Sequence, residues 1–325
     1  MGTPYLRVDE DVLQRNIEAM ARTAAVAGVL LRPHAKTHKS PEIARRQLAA
    51  GAVGLTVATI GEAEVFADAG FDDLFIAYPV WVDADAAARL RVLGDRVRLA
   101  VGCDSAEAAA NLVGLPLEVL VEIDSGHHRT GVAPADAGTL AAEIAALGLV
   151  VRGVFTFPGH SYSPDGRRAA ATDEARALAT ATAAMADTGL PAHVVSGGST
   201  PSAEFADDTV LTELRPGVYV FGDAQQIELG TIGFEDVALT VVATVVSHAG
   251  GRVITDAGSK PWAPIARCGR PGTAASWTPR ARGSSPSPST TRRSSGRRRR
   301  LRWAVGCCWC PTTSATRSTW PTSTT

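Results

Sequence analysis

The sequence predicts an α/β protein of the (β/α)8, or TIM-barrel, class, followed by the start of a β domain. Three observations carry that prediction. Eight short apolar runs occur at residues 29–31, 54–59, 74–78, 97–101, 117–123, 150–157, 193–195 and 211–221. Amphipathic, alanine-rich stretches at 40–50, 60–69, 83–93, 105–112, 135–147 and 170–188 separate most of them, which is the strand–helix alternation of a parallel sheet. Glycine- and hydroxyl-rich turns follow the seventh run and interrupt the eighth, where barrels of this class hold phosphate. An open doubly wound sheet shares the alternation and is the second choice. The barrel is assigned to 1–234. The C-terminal β domain begins in 235–260, where runs at 237–247 and 252–255 flank His248-Ala249-Gly250-Gly251 as a hairpin.

The first run leads into Arg32-Pro33-His34-Ala35-Lys36-Thr37-His38-Lys39. Lys36, Lys39 and Lys260 are the only lysines in the 325 residues, because arginine carries nearly all other positive charge. A lysine kept in such a background points to an amine that must lose its proton, which arginine cannot do. The plain alternative is a surface lysine in a basic turn. The fifth run ends in Glu122-Ile123-Asp124-Ser125-Gly126-His127-His128-Arg129-Thr130-Gly131. If its two adjacent histidines lie on a strand, only one faces inward. The sixth run is followed by Gly159-His160-Ser161-Tyr162, and the seventh by Ser196-Gly197-Gly198-Ser199-Thr200. Arg215-Pro216-Gly217-Val218-Tyr219 lies in the eighth. Glycines let backbone amides approach a phosphate and hydroxyls add donors. A lysine at the rim of strand one, facing a phosphate cup across a barrel, points to pyridoxal phosphate held covalently by its amine.

These motifs together resemble the signature of the D-serine dehydratase and D-threonine aldolase family, relatives of alanine racemase with fold type III. The similarity covers roughly residues 4–260, and the Arg32–Lys39 motif is its most specific part. The resemblance implies a barrel of alanine racemase type in which Lys36, the first lysine of the motif, holds pyridoxal 5'-phosphate. It implies that Arg129 contacts the cofactor's ring hydroxyl, with a salt bridge to Asp124 or Glu122 as the structural alternative. His160 and Tyr162 would face the pyridine ring or the substrate. Ser199, Thr200, Gly217 and Tyr219 would cup the phosphate, with His34, Ser196, Gly197 and Gly198 in the same binding set. The implied activity is a lyase on D-amino acids bearing a β-hydroxyl: D-serine dehydration to pyruvate and ammonia, or D-threonine cleavage to glycine and acetaldehyde. A racemase-like enzyme or a non-catalytic cofactor-binding barrel is the alternative. A homodimer is implied too.

The family also implies a divalent metal, Zn or Mn, on a His-x-Cys or His-x-Asp pair in the second domain. No such pair occurs in the sequence, so no metal ligand is assigned. The reason lies in an abrupt change of composition. Residues 1–260 carry 20 basic and 33 acidic side chains, a net −13, whereas 261–325 carry 12 arginines and no acid. Five of six Trp and four of five Cys also fall in that tail. Arg297 to Arg300 superficially fit a nucleic-acid arm, and Cys307, Cys308 and Cys310 a metal knuckle, but the cysteines lack paired zinc spacing. The better reading is G/C-rich coding translated out of frame, giving a disordered tail. Restoring one nucleotide after Lys260 permits strand- and turn-like segments, with Asn-His-Val-Cys in place of Thr312-Thr313-Ser314-Ala315. On that reading the chain binds the cofactor but has little lyase activity. With no signal peptide, no apolar run of spanning length and a lone body cysteine, Cys103, the sequence predicts a cytoplasmic protein. The resemblance implies a small D-amino acid as partner, and the sequence predicts neither membrane nor nucleic acid.

Overall fold

The computed structural model describes residues 2–257 and 300–304. The chain begins with β1 (Tyr5–Val8) and α1 (Glu10–Val26), then alternates: β2 (Leu30–Leu31), α2 (Pro41–Ala49), β3 (Leu55–Val57), α3 (Ile60–Asp68), β4 (Asp73–Pro79) and α4 (Ala84–Gly94). It continues through β5 (Arg98–Cys103), α5 (Ala106–Ala110), β6 (Glu118–Glu122), α6 (Ala137–Ala146), β7 (Val150–Phe155), α7 (Arg167–Asp187), β8 (Val194–Gly197), β9 (Glu213–Leu214) and α8 (Ala224–Glu228). Local chemistry sets many of these boundaries. Asp9, Ser40, Thr59, Asp83, Ser105 and Asp223 each accept an amide hydrogen bond from the first turn of the helix that follows. Helices α1 and α8 were not foreseen, although Leu13 and Ile17 of α1 are buried at helical spacing. The eighth apolar run yields only the two-residue β9, since Pro216 has no amide to continue a ladder and the chain turns there into a 3-10 segment, Val218–Val220.

Strands β2 to β9 are parallel and adjoin in the order β2-β9-β8-β7-β6-β5-β4-β3. A bridge between His34 and Thr56 joins the two ends, with the Thr56 amide donating to the Pro33 carbonyl at 2.8 Å. The sheet therefore closes as the barrel class requires, and the open doubly wound alternative falls. Apolar residues facing outward from the strands, such as Leu55, Leu74, Ile76, Val101, Val119 and Val154, are buried in one core cluster with the helices. The inward residues form a separate small core of Phe75, Ala77, Ala100, Leu120 and Phe155. The Phe75 and Phe155 rings meet edge to face at 5.1 Å. Gly102 makes room for them, since a Cβ there would stand 2.5 Å from Phe155 Cζ.

Near the amino ends of the strands the barrel axis is charged. Arg32, 2% exposed, donates from Nε to Glu213 Oε2 and from Nη1 to Asp73 Oδ1, both at 2.6 Å. Ser196 gives its hydroxyl to the other Glu213 oxygen at 2.7 Å. Burial opposes the guanidinium charge, but the two carboxylates outweigh it and raise the Arg32 pKa.

The contacts divide the chain into one unit at Val8–Leu239 and another holding the residues on either side of it. In the second, β10 (Leu239–Ser247) lies between β1 and β11 (Ile254–Thr255), and β10 and β11 pair antiparallel as the hairpin reading expected. Within the tail expected to lack structure, β12 (Arg300–Ala304) pairs antiparallel with β10, from Thr240 opposite Ala304 to Thr244 opposite Arg300. The rest of 258–325, including Lys260 and Thr312 to Ala315, lies outside the described residues. Among the described residues no helix is long and apolar enough to cross a membrane.

Removing one partner from a buried ion pair strands the other charge. Glu213→Ala should therefore lower stability by about 3 kcal/mol, read as a fall in the urea unfolding midpoint; an unchanged midpoint would show that Asp73 alone satisfies Arg32.

Candidate active site

Beyond β2 the extended Arg32-Pro33 segment delivers a 3-10 turn, Ala35–Thr37. His34 holds that turn: its Nδ1 accepts the Lys36 amide at 3.3 Å, and its own amide donates to the Pro216 carbonyl at 2.9 Å. Burial, then the positive charges of Lys36 and Arg215, hold the His34 pKa well below the usual imidazole range. The ring is thus neutral, as an accepting Nδ1 requires. Lys36 Nζ lies 5.1 Å from the centroid of the Phe157 ring, at the carboxyl end of the barrel. Lys39 is turned away at φ 50° and pairs with Glu62 at 2.6 Å on the exposed surface. Of the two lysines in the motif, the geometry directs only Lys36 to the barrel mouth.

Phe157 is the hub of this mouth. The Arg129 guanidinium carbon lies 5.6 Å from its centroid and 5.2 Å from that of Tyr78. His127 meets Phe157 edge-on at 5.6 Å, and Tyr162 is tilted against it at 6.3 Å. The loop after β6 is shaped by Asp124, which accepts the amides of Gly126 and His128 and bonds His128 Nδ1 at 2.7 Å. This turn puts His128 at φ 54° with its ring exposed, so the inward histidine is His127. Gly131, at φ 100°, closes the loop where a Cβ would lie 2.7 Å from the Asp124 amide nitrogen. Gly159 likewise leaves room for the His127 ring. His160 lies against Gly126, and its Nε2 is 3.5 Å from Asp173 Oδ2.

Glu122, the last residue of β6, is buried beneath the loop. It accepts the Thr130 hydroxyl at 2.8 Å and lies 3.8 Å from Arg129 Nη2. Burial pushes its carboxyl up to about 7, against the lowering pull of Thr130 and Arg129. Of the two salt-bridge partners weighed for Arg129, the structure selects Glu122. Arg215 stands on the axis below, donating from Nη2 to the Thr156 carbonyl, with its guanidinium carbon 5.2 Å from the Phe155 centroid. Burial lowers its pKa to about 10, so it remains charged at neutral pH.

The turns after β8 and β9 meet the lysine turn. A Cβ on Gly217 would be 3.0 Å from Thr37 Oγ1 and 3.2 Å from the His34 carbonyl oxygen, so the absence of a side chain there lets the two turns pack closely. Ser199 Oγ bonds Ser161 and Ser202 hydroxyls at 2.8 Å, and Thr200 Oγ1 accepts the Tyr219 amide at 3.2 Å. Among the described residues, no hydrogen bond takes the amides of Thr200 or Gly217. Two residues expected in the cup direct their side chains elsewhere: the Ser196 hydroxyl goes to Glu213, and the Tyr219 hydroxyl accepts from Gln47 Nε2 at 2.9 Å. The Gly198 amide is given to Glu174 at 2.7 Å. Pyridoxal phosphate fits this donor set. An amine, a turn with spare amides, and buried nitrogens without a hydrogen bond, Arg129 Nε, His160 Nδ1 and Arg215 Nε, lie towards one end of the barrel. The sequence reading missed Phe157 and Glu122 as site residues and Arg215 as more than a turn residue; their signal was inward register at or just past strand ends.

The "Alanine racemase, N-terminal domain" family matches residues 8–225. The D-threo-3-hydroxyaspartate dehydratase of Delftia sp. (strain HT23) is 40% identical over 274 residues, covering 79% of this chain and 72% of that protein. The D-threonine aldolase of Arthrobacter sp. is 37% identical over 291 residues, covering 83% and 75%. In the crystal structure of D-threonine aldolase from Filomicrobium marinum the likeness has a TM-score of 0.73 at 36% identity, over 80% of this chain and 74% of that one.

A carboxyl whose pKa is raised on folding stabilises the fold fully below its unfolded pKa and loses that contribution as pH climbs through its folded value. For Glu122 the window runs from 4.5 to about 7, a change on the order of 3 kcal/mol. Denaturation midpoints at pH 5 and pH 8 should differ less in Glu122→Gln than in the parent; an identical difference would mean that Glu122 titrates normally.

Proposed function

The chain belongs to the alanine racemase N-terminal domain family, and we propose that it is a pyridoxal-phosphate-dependent lyase of D-amino acids that carry a β-hydroxyl. The observation that supports this most is the single lysine amine directed to the barrel mouth, with its turn packed against a glycine turn that has a spare amide. The names of its relatives, a dehydratase and aldolases of D-hydroxyamino acids, support the reaction class.

Lys36 would hold the cofactor through its amine, and Thr200, Gly217 and the Ser199 hydroxyl would hold its phosphate. When bound, pyridoxal phosphate supplies an electron sink for the charge left as a bond to the substrate Cα breaks. Lys36 would also be the group to take the substrate's α-proton on Nζ. His34 fixes the Lys36 turn and stays neutral while doing so. Arg129 brings a positive charge held between two aromatic faces, where an anionic oxygen is attracted without a competing carboxylate at hydrogen-bond distance. His127, its pKa lowered first by burial and then by Arg129, is a neutral imidazole at the same wall. Phe157 and Tyr78 keep the amine and guanidinium on apolar surfaces, which strengthens their fields on a bound substrate.

A divalent metal does not fit the described residues, where no three His, Cys, Asp or Glu side chains come together to hold one. No step is routed through it. The Asn-His-Val-Cys permitted by the restored frame would supply such a pair, and we infer that the chain as written turns over D-serine and D-threonine more slowly than the frame-restored protein.

Borohydride reduction of protein reconstituted with pyridoxal phosphate should leave a pyridoxyl mass on the peptide containing Lys36, and Lys36→Ala should lose it along with D-serine or D-threonine turnover. A label on Lys39 instead, or turnover retained without Lys36, would overturn the assignment.

A further inference from the structure

Helix α7 packs on the barrel through Ala170, Ala171, Ala177, Leu178, Ala181 and Met185, all buried and apolar. One residue on that face is anomalous: Glu174 is 1% exposed. A carboxyl in such a position is costly to bury and is kept only where a specific partner needs it. Its partner is the phosphate turn. Glu174 Oε1 accepts the Gly198 amide at 2.7 Å, and the carboxyl fills the space that a Cβ on Gly197 would occupy.

The Gly197–Gly198 peptide is thereby pinned at both ends. Its N–H goes to Glu174 and its C=O accepts the Arg215 amide at 2.8 Å, tying the turn after β8 to the one after β9. Gly198 sits at φ 81°, a conformation other residues avoid, and directly after it the chain places Ser199 and Thr200. We propose that Glu174 is the positioning residue of the phosphate cup: it holds this peptide edge-on from behind, so that the Thr200 and Gly217 amides stay open to a phosphate monoester. The inference rests on the cofactor reading above and adds the residue that gives the cup its shape. The charged group facing Glu174 is Arg215, and burial pushes the Glu174 carboxyl up to about 7.

The test compares two ligands that differ only in the phosphate, pyridoxal 5'-phosphate and pyridoxal, titrated by absorbance, with inorganic phosphate as competitor. Glu174→Ala should weaken pyridoxal phosphate about tenfold and lose competition by inorganic phosphate, while pyridoxal binding stays within about twofold. Glu174→Gln, which keeps the accepting oxygen, should restore phosphate-dependent binding. If Glu174→Ala does not fold, Gly197→Ala, which drives the carboxyl out of place, should give the same ligand selectivity. Equal weakening of both ligands, or unaltered phosphate affinity, would overturn the positioning role. Wild-type protein that competes for inorganic phosphate but takes no pyridoxyl label would sink the cofactor reading and leave the cup; wild-type protein that binds neither ligand would sink both.

Discussion

The site depends on one backbone hydrogen bond at the seam of the barrel, from the His34 amide to the Pro216 carbonyl. It joins segments 182 residues apart in sequence and brings the lysine turn against the turn that follows β9. The contact extends the pairing of β2 with β9, which are neighbours in the sheet although every other laddered parallel pair is sequential. Gly217 is the corresponding steric condition, since a side chain there would press on Thr37. Neither half of the site could position a cofactor without the other.

Charge along the barrel axis follows a pattern that separates support from chemistry. At the amino ends, Arg32 is enclosed by Glu213 and Asp73, with Ser196 saturating the remaining carboxylate oxygen. That network is self-contained and offers nothing to a ligand. Nearer the carboxyl ends, Arg215 donates to a carbonyl, lies over aromatic rings and feels the carboxyls of Glu213, Glu174 and Glu122, and Arg129 stands 3.8 Å from a carboxyl that burial pushes up to about 7. The positive charge is therefore tightly paired at one end and more loosely accompanied at the other.

The elements were legible because apolar runs and helical stretches alternate regularly, and Lys36 stood out because lysine is otherwise nearly absent. Register was harder to read. Ser196 and Glu213 look alike in sequence to any strand-end polar residues, yet the closed ring turns both inward and pairs them with each other. The rule that adjacent histidines alternate across a strand applied to a segment that is a turn, where Asp124 rather than the pleat decides that His128 faces out. Helix α1 carried its own signals in Asp9, Glu10 and Asp11 ahead of Leu13 and Ile17. Glu174 gave none, because a lone acid in an alanine-rich helix ordinarily belongs to the solvated face.

The strand β12 bears on the tail in a limited way. Ladder pairing uses backbone amides and carbonyls, which every residue but proline supplies in full, so an edge of β10 can accept a segment largely irrespective of its side chains. Arg300 to Ala304 contain no proline or glycine, which is enough for five consecutive pairs. Metal binding makes a different demand, because it needs particular side chains at a fixed spacing. The barrel unit, Val8–Leu239, ends before the change of composition after Lys260 and holds Lys36, Arg129 and the turns after β8 and β9.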